Sequence, residues 1–232
     1  MLKAFSDLFN LFFPRKCNHC GNNLDKTEVE VCKKCLFEIP KTYFLDDSEN
    51  PVNKLFWGRV EVEFATSGFY FTKKSILQNL LHHIKYHNKK ELACELGKYL
   101  GAELVTAGSF KDCDVIVPVP LHPAKMKKRG YNQSEWIAKG MSEKMAIPLN
   151  ISLLNRHVNS ETQTKKTREQ RWENVRSAFN VKLPDNFSKK HILLIDDVIT
   201  TGATIEACAS QLIENTGLKV SIASLAYASS DS

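Results

Sequence analysis

The hydrophobic and polar positions along the chain change repeatedly between a period of two residues and a period of three to four. Alternating apolar residues predict a strand-rich segment at 60–71, and apolar stripes predict helices around 76–84 and 92–99. The further predicted elements are a strand at 114–120, a helix at 136–145, strands at 151–154 and 192–195, a helix from 205 to 213 and a strand at 218–226. This alternation predicts an α/β fold with a parallel sheet and flanking helices.

The stretch HILLIDDVITTGAT, residues 191–204, joins a strand, an acidic pair, a turn and a helix. Four apolar residues at 192–195 predict a buried strand that leads into the adjacent carboxylates Asp196 and Asp197. A small, hydroxyl-rich turn follows two residues later, and the next helix begins directly after it. The turn consists of Thr200, Thr201, Gly202, Ala203 and Thr204. A strand, a turn and a helix in this order predict an anion site where the helix begins.

The two halves of this stretch favour different parts of one ligand. The first backbone N–H groups of a helix lack internal partners and lie at the positive end of its dipole, so they attract a phosphate. Gly202 lets the backbone approach a ligand closely, and the threonine hydroxyls can donate further hydrogen bonds. Asp196 and Asp197 would repel a phosphate, but they suit neutral hydroxyls or a divalent cation. Vicinal hydroxyls close to a phosphate describe a ribose 5-phosphate.

LLIDDVITTGAT resembles the phosphoribosyl diphosphate signature of type I phosphoribosyltransferases. The resemblance implies that Asp196 and Asp197 contact the ribose 2- and 3-hydroxyls and that residues 200–204 surround the 5-phosphate. The plain alternative is an ordinary strand–helix turn with an acidic cap. Two other classes fit less well: a response-regulator acidic pair gives no reason for TTGAT, and a Walker loop needs a GK[ST] run that the sequence lacks.

Length and charge narrow the class of protein without identifying a ligand. The 232 residues can hold one main domain with an appendage, and 32 Lys and Arg against 26 Asp and Glu give a net charge of +6. This excess suits phosphate-bearing substrates or nucleic acid and does not distinguish them. No apolar run reaches the roughly 18 residues of a membrane span.

Four of the seven cysteines form two CxxC pairs, Cys17 with Cys20 and Cys32 with Cys35. Each pair makes a tight turn that directs two thiolates to one point, and together they supply four soft ligands that suit tetrahedral Zn²⁺. A closed four-thiolate set leaves no open position, so we expect a structural zinc ion, with His19 as a replacement ligand that is not needed. A redox dithiol is the alternative, but it needs only one such pair. The cysteine usage predicts a reducing compartment, and hence a cytoplasmic protein.

The N-terminal segment 1–13 carries an apolar stripe that predicts a short helix packed on the body. A membrane-surface anchor is the alternative, so any membrane association is expected to be peripheral at most. The predicted organisation is therefore an N-terminal helix with a four-cysteine zinc ribbon at 1–39, a linker at 40–59 and an α/β domain at 60–232 with its core at 110–227.

The segment HPAKMKKRGYNQ carries the densest positive charge, and we predict that it is a loop at the carboxyl end of a strand. Open α/β sheets bind their ligands at that end. Arg129 has the planar fork that suits phosphate oxygens, so we expect a diphosphate-gripping loop rather than a solvated basic turn. Its cations are Lys125, Lys127, Lys128 and Arg129, and Lys128, Arg129 and Gly130 are the expected ligand contacts.

The long polar segment 156–176 is predicted to be a lid or a binding loop. Departure of diphosphate from a phosphoribosyl group leaves an oxocarbenium-like centre that water would attack, so such a site must close. A nucleic-acid contact, with Trp172 stacking on a base, is the alternative. The cations expected to cover the leaving charge are Arg156, Lys165, Lys166, Arg168 and Arg171.

The order of the motifs across the chain resembles the ComF family. PVP, KRGYNQ, TREQRxxNVRSAF and IDDVITTGAT follow a CxxC…CxxC head, and the similarity runs from about Cys17 to Tyr227. It implies a zinc-ribbon head on a type I phosphoribosyltransferase-like parallel sheet with flanking helices, and binding of phosphoribosyl diphosphate or a nucleotide with Mg²⁺. It further implies uptake of single-stranded DNA during natural transformation, with single-stranded DNA, a competence helicase or other DNA-processing proteins as partners.

A second class of function is a catalytically active salvage or biosynthetic phosphoribosyltransferase, which moves ribose 5-phosphate to a nucleobase or amine and releases diphosphate. The candidate catalytic residues are then Asp196, Asp197, Arg129 and Arg168. Some purine phosphoribosyltransferases carry an Asp, able to act as general base, where this chain has Thr200. A threonine hydroxyl cannot take a proton near neutral pH, so that route is closed here, whereas catalysis without it is not.

Overall fold

The computed structural model describes residues 14–157, 177–184 and 187–229. A 3₁₀ turn at Gly108–Phe110 lies among helices and strands that alternate along the chain. These are α1 (Lys33–Phe37), α2 (Pro51–Lys54), β1 (Ala65–Tyr70), α3 (Ile76–Tyr86), α4 (Lys90–Thr106), β2 (Val115–Pro118), α5 (Pro123–Arg129), α6 (Gln133–Met145), β3 (Leu154–Arg156), β4 (Phe179–Val181), β5 (His191–Ile199), α7 (Ala203–Thr216) and β6 (Lys219–Tyr227).

Four parallel strands form the central sheet in the order β1, β6, β5, β2. The apolar run of β5 is buried because both faces of the sheet are covered. Leu193 and Ile195 join a core with α3, α4 and α6, whereas Ile192 and Leu194 join a second core with α7. The predicted α/β fold with a parallel sheet and flanking helices is therefore confirmed.

Two glycines let α4 and α6 approach each other unusually closely. A Cβ atom on Gly97 would lie 2.1 Å from the carbonyl oxygen of Ile137, and one on Gly140 would lie 2.0 Å from that of Cys94. Real side chains do not tolerate such distances, so the helix crossing depends on these two positions. This packing fixes α6, whose first turn reaches the carboxyl end of the sheet.

Three elements differ from the prediction. Of the strand predicted at 151–154, only Leu154 lies in a strand, β3, which pairs with β4 outside the central sheet. The strand predicted from residue 60 begins at Ala65, because the preceding segment turns back on itself and the N–H of Val60 donates to the carbonyl of Phe56. The basic segment predicted as a loop is helix α5, with Pro123 in its first turn and Gly130 at its C-cap in the left-handed region, φ 80°. Proline at the start and glycine at the end are the usual boundaries of a helix.

The cysteine-containing head packs directly on the body. Cys17, Val31 and Cys35 are buried in the same core as the apolar faces of α3 and α4. The backbone N–H of Glu30 donates to the Glu95 carboxylate of α4 at 2.7 Å. The division of the chain at residues 39 and 59 stays a prediction.

Several predictions concern residues outside the described ranges: the helix at 1–13, and Lys165, Lys166, Arg168, Arg171 and Trp172 of the expected lid. The base of that segment is described, because β3 and β4 pair as a short antiparallel ribbon on either side of it. Within the described parts of the chain, no helix combines the length and apolar character needed to cross a bilayer.

Candidate functional site

The turn between β5 and α7 has the geometry of an anion site. Gly202 is the N-cap of α7 and adopts φ 76°, a left-handed conformation that favours glycine. The first intrahelical hydrogen bond runs from the N–H of Glu206 to the carbonyl of Gly202 at 2.9 Å. The N–H groups before it therefore have no acceptor within the helix. A cavity of about 60 Å³ opens here, and it is lined by Asp196, Val198 and residues 199–205.

Residues of the segment that precedes β1 contact this turn and support it. Arg59 donates through Nη1 to the carbonyl oxygens of Thr201, at 3.2 Å, and Leu55, at 2.9 Å. Its Nη2 pairs with the carboxylate of Glu206, a side chain only 3% exposed. The ring of Phe56 lies 3.2 Å from where a Cβ atom on Gly202 would be. The predicted linker thus supplies the support of the turn.

The acidic pair lies at the carboxyl end of β5, beside the turn. Asp196 is half-buried and Asp197 is buried. Asp196 Oδ1 accepts hydrogen bonds from the Ser134 hydroxyl at 3.0 Å and from the backbone N–H of Asp197 at 2.8 Å. Asp197 Oδ1 accepts from the N–H of Val198 at 2.8 Å. Both carboxylates are therefore held in fixed orientations.

Burial, followed by the charge of Asp197, raises the pKa of Asp196. The hydrogen bonds from the Asp197 N–H and the Ser134 hydroxyl, together with the Lys85 cation, act in the opposite direction. The net effect follows from desolvation, which disfavours the ionised form of a carboxyl group. In its ionised form the Asp196 carboxylate can accept a hydrogen bond from a ligand hydroxyl.

A basic cavity lies next to the acidic pair, with a volume of about 550 Å³. Lys85 belongs to both regions, because its Nζ lies 2.8 Å from Asp197 Oδ2. Of the residues predicted to grip a diphosphate, Lys128 and Arg129 line this cavity together with Lys125. Arg129 also donates to the side-chain oxygen of Gln133, which orients its guanidinium. The remaining lining residues are Tyr86 and Asn88.

The residues after Gly130 connect the basic helix to the sheet. Tyr131 is buried and donates through its hydroxyl to the carbonyl of Ile84 at the end of α3. Asn132 donates through Nδ2 to the carbonyl of Val119 at 3.0 Å and accepts from the N–H of Ser134 at 3.2 Å, which caps α6. The GYNQS segment therefore ties three elements together and aims Ser134 at Asp196.

Of the cations predicted to cover the leaving charge, Arg156 lies within the described residues. It is half-buried at the end of β3, with its guanidinium 5.0 Å from the ring centroid of Phe179. Burial lowers the pKa of Arg156, and the neighbouring Cys208 and Asp196 oppose that shift. It therefore lies within electrostatic reach of the acidic pair.

The four CxxC cysteines form a compact cluster in the head. Their sulfur atoms all lie within 4.8 Å of one another, and Cys20 Sγ is 3.7 Å from Cys32 Sγ. Sulfur atoms about 2.3 Å from a common tetrahedral metal would be separated by similar distances. Burial raises the pKa of Cys32 and Cys35, and a bound cation would favour their thiolates. The cluster could therefore hold a metal ion.

Sequence reasoning missed three side chains that complete the site: Ser134, Lys85 and Arg59. Each reaches residues 196–206 from another part of the fold. Ser134 follows the KRGYNQ motif directly, and that proximity was a usable signal. Lys85 and Arg59 lie in segments whose local pattern says nothing of the acidic pair or the turn.

Comparison with known proteins gives one matching family model and several curated relatives. The model described as a phosphoribosyl transferase domain matches residues 132–232, which include the acidic pair and the turn. Competence protein F of Haemophilus influenzae is 27% identical over 207 residues, covering 88% of this chain and 80% of that protein. DNA utilization protein YhgH of Escherichia coli is 29% identical over 149 residues, covering 63% of this chain and 65% of that protein.

A shorter match joins the chain to competence protein ComFC of Bacillus subtilis. The two are 35% identical over 100 residues, which is 43% of this chain and 38% of that protein. The relatives are thus matched over very different shares of their own lengths, although all carry names from competence or DNA use.

Proposed function

We propose, from the premise that this chain belongs to the ComF family, that it binds phosphoribosyl diphosphate or a nucleotide where β5 meets α7. One observation carries the proposal: Asp196 and the first residues of α7 line the same cavity. Backbone N–H groups at a helix start favour a phosphate, and a carboxylate accepts hydrogen bonds from hydroxyls. A ribose 5-phosphate carries both groups in one molecule.

The diphosphate of the ligand belongs, in this proposal, to the basic cavity. Lys85, Lys125, Lys128 and Arg129 line it, and four cations around one space favour a group with several negative charges. Mg²⁺ bound with the ligand would neutralise part of the diphosphate charge through oxygen ligands. The protein's own contribution is orientation: Asp196 toward the ribose, the 200–204 turn toward the 5-phosphate.

The cysteine cluster supports a structural role for zinc. Cys17, Cys20, Cys32 and Cys35 would supply all four ligands of a tetrahedral zinc ion, which would leave no position for a substrate. Zinc would therefore fix the head against α3 and α4 and take no part in chemistry.

The biological role proposed is uptake of single-stranded DNA into the cytoplasm during natural transformation. Relatives named competence protein F and DNA utilization protein support it, and the net charge of +6 is compatible with it. Single-stranded DNA and a competence helicase are the proposed partners.

The test is calorimetry of the zinc-loaded protein with phosphoribosyl diphosphate and Mg²⁺. The Asp196→Asn/Asp197→Asn variant should bind at least about tenfold more weakly than the wild type, since the acidic pair loses its charge. Asp112→Asn is the matched control, because this exposed residue lies at the opposite end of the sheet, beside Asp114 and His191. Equal affinity in the wild type and the double variant, or no binding to either, would remove the ligand from the proposal.

A catalytically active phosphoribosyltransferase is the second candidate, and the basic cavity beside the acidic pair favours it because a leaving diphosphate needs cations. Diphosphate release in the presence of a panel of nucleobases and amines tests it. A panel without release above the ligand-only rate speaks for a binding protein.

A further inference from the structure

A lysine side chain forms an ion pair with the acidic pair. Lys85 Nζ lies 2.8 Å from Asp197 Oδ2, and the two side chains are 26% and 9% exposed. Lys85 lies in the last turn of α3, where the helix dipole favours a positive charge. Because solvent is largely excluded, salt screens this ion pair much less than a surface pair.

Three of the four carboxylate oxygens of the pair are engaged by protein groups. Asp196 Oδ1 accepts from Ser134 and Asp197, and Asp197 Oδ1 accepts from Val198. Asp197 Oδ2 is buried and accepts no hydrogen bond within the described residues, but it lies 2.8 Å from the Lys85 ammonium in an ion pair. Among residues 14–157, 177–184 and 187–229, that leaves Asp196 Oδ2 as the oxygen available to a ligand without rearrangement.

This arrangement does not favour direct binding of a divalent cation. Mg²⁺ takes about six oxygen ligands at about 2.1 Å, and it is usually held by one or two carboxylates with water and substrate oxygens. An ammonium already touching Asp197 Oδ2 would repel such an ion and would have to move away first. A hydroxyl carries no charge and needs only one accepting oxygen, so it meets no such obstacle.

We propose that Lys85 is the resident counter-ion of the acidic pair and determines its specificity: the pair accepts sugar hydroxyls and excludes a directly bound divalent cation. The inference deepens the proposed phosphoribosyl site and rests on it for the identity of the ligand. Mg²⁺ that arrives with a diphosphate is then held through the ligand and not through Asp197. Lys85 also lines the basic cavity, so one side chain contributes positive charge to both halves of the site.

The first experiment needs no organic ligand. The zinc-loaded full chain is titrated with Mn²⁺, and free Mn²⁺ is measured by electron paramagnetic resonance. The wild type should take up no Mn²⁺ at the acidic pair, whereas Lys85→Met should gain one equivalent that Lys85→Met/Asp197→Asn loses again. Lys98→Met is the matched control, since Lys98 pairs with Glu143 at 2.6 Å on α4 and α6, and it should behave as the wild type.

Two outcomes of that titration overturn the inference. One is an Mn²⁺ site in the wild type that Asp197→Asn removes. The other is no gain of Mn²⁺ by Lys85→Met, which would show that the lysine is not what excludes the ion. The wild-type measurement alone keeps the claim testable if Lys85→Met does not fold.

The second experiment measures ribose 5-phosphate affinity with and without Mg²⁺. Wild-type affinity should be the same in both conditions, and Lys85→Arg should stay within about threefold of it because the charge is kept. Lys85→Met should bind at least about tenfold more weakly without Mg²⁺, because an uncompensated carboxylate then faces an anionic ligand, and Mg²⁺ should restore it. Wild-type affinity that depends on Mg²⁺ contradicts the inference. No binding of ribose 5-phosphate at all contradicts the proposed function, and the Mn²⁺ result then decides the counter-ion separately.

Discussion

The cysteine head and the cavity between β5 and α7 both correspond to short sequence motifs, but they are completed in different ways. The head brings Cys17, Cys20, Cys32 and Cys35 within 4.8 Å of one another from one short stretch of chain. The cavity motif is equally short, yet its Asp196 is held by Ser134, 62 residues away, and its turn by Arg59, 142 residues from Thr201.

The difference follows from what each site must do. A structural metal site is closed by its own ligands, and the metal supplies most of the energy that orders them. A ligand site must keep charged groups oriented while it is open, so other parts of the fold have to fix each of them. We therefore expect the folding of the head to depend chiefly on bound metal. We expect ligand binding in the cavity to depend chiefly on side chains that are distant in the sequence.

Metal removal should have the largest effect, and it should be confined to the head. Chelation removes an apparent binding free energy of about 10–16 kcal/mol for a structural zinc, so we expect residues 14–39 to unfold. Amide hydrogen exchange should show lost protection in the head and retained protection in the body at 110–227. Loss of protection in both regions together would contradict the division of the chain, and the burial of Cys17 and Cys35 against α3 and α4 makes that a demanding test.

Gly140→Ala should produce the converse result, a damaged body with an intact metal cluster. The added Cβ would lie 2.0 Å from the carbonyl of Cys94, so α4 and α6 must separate, at a cost of about 3 kcal/mol or more in the free energy of unfolding. Urea denaturation measures the loss, and zinc stoichiometry should stay the same. Gly108→Ala is the control: its nearest atom would be Asp46 Oδ1 at 3.9 Å. Equal stability of both variants would show that the helix crossing can relax.

The sequence allowed the central sheet, the cysteine cluster and the position of the 200–204 turn to be predicted, because each depends on a local pattern. It did not allow the beginning of β1 or the helical state of Pro123–Arg129 to be predicted. Val60 and Val62 alternate like strand residues but pack as a turn on the second core. Density of charge suggested a loop at 125–129, although Pro123 and Gly130 carried the helix signal.

The side chains that complete the cavity could not be predicted for a different reason. Lys85 lies in LHHIKYH, where nothing distinguishes it from a solvated helix lysine, and its partner Asp197 is known only from the packing of α3 beside β5. Arg59 is likewise one cation in a polar segment until the fold brings it to Thr201. Such contacts between distant parts of the chain produce no periodic pattern in the sequence.

Arg59→Met should weaken the cavity without changing the head. The variant removes the donor to the Thr201 carbonyl, and the charge of Glu206 is no longer offset by Arg59 at the helix start that would bind the phosphate. Ribose 5-phosphate affinity should fall about tenfold, the equivalent of about 1.4 kcal/mol. Lys54→Met is the control, since its pair with Glu49 is exposed and contributes little. An unchanged affinity, measured by calorimetry, would mean that the turn orients itself.

Asp196→Asn should have the smallest effect on stability among these changes. It should stabilise the folded protein at high pH and weaken ligand binding. The folded protein raises the pKa of Asp196 through burial and Asp197, so the folded state holds the proton more firmly than the unfolded state. The free energy of unfolding that this group contributes therefore falls as pH rises from the ordinary range of an Asp to the raised pKa. Asparagine stays neutral and keeps Oδ1 for Ser134 and Asp197. The variant should match the wild type at pH about 3.5 and exceed it by at least about 1 kcal/mol at pH about 8, while ribose 5-phosphate binds more weakly.

Asp46→Asn gives the contrast of sign that makes this measurement decisive. Hydrogen bonds from the backbone N–H and hydroxyl of Ser109 lower the pKa of Asp46, so its contribution to stability is present above the ordinary Asp pKa and is lost as pH falls. That variant should lose stability at neutral pH, where Asp196→Asn gains it. Urea denaturation across this pH range could instead show that both substitutions destabilise the protein at pH about 8. Burial would then not dominate the pKa of Asp196, and the ligand-free cavity would be as stable as the metal cluster. A gain only at Asp196 instead identifies that carboxylate as a group kept in place for a ligand at the expense of the fold.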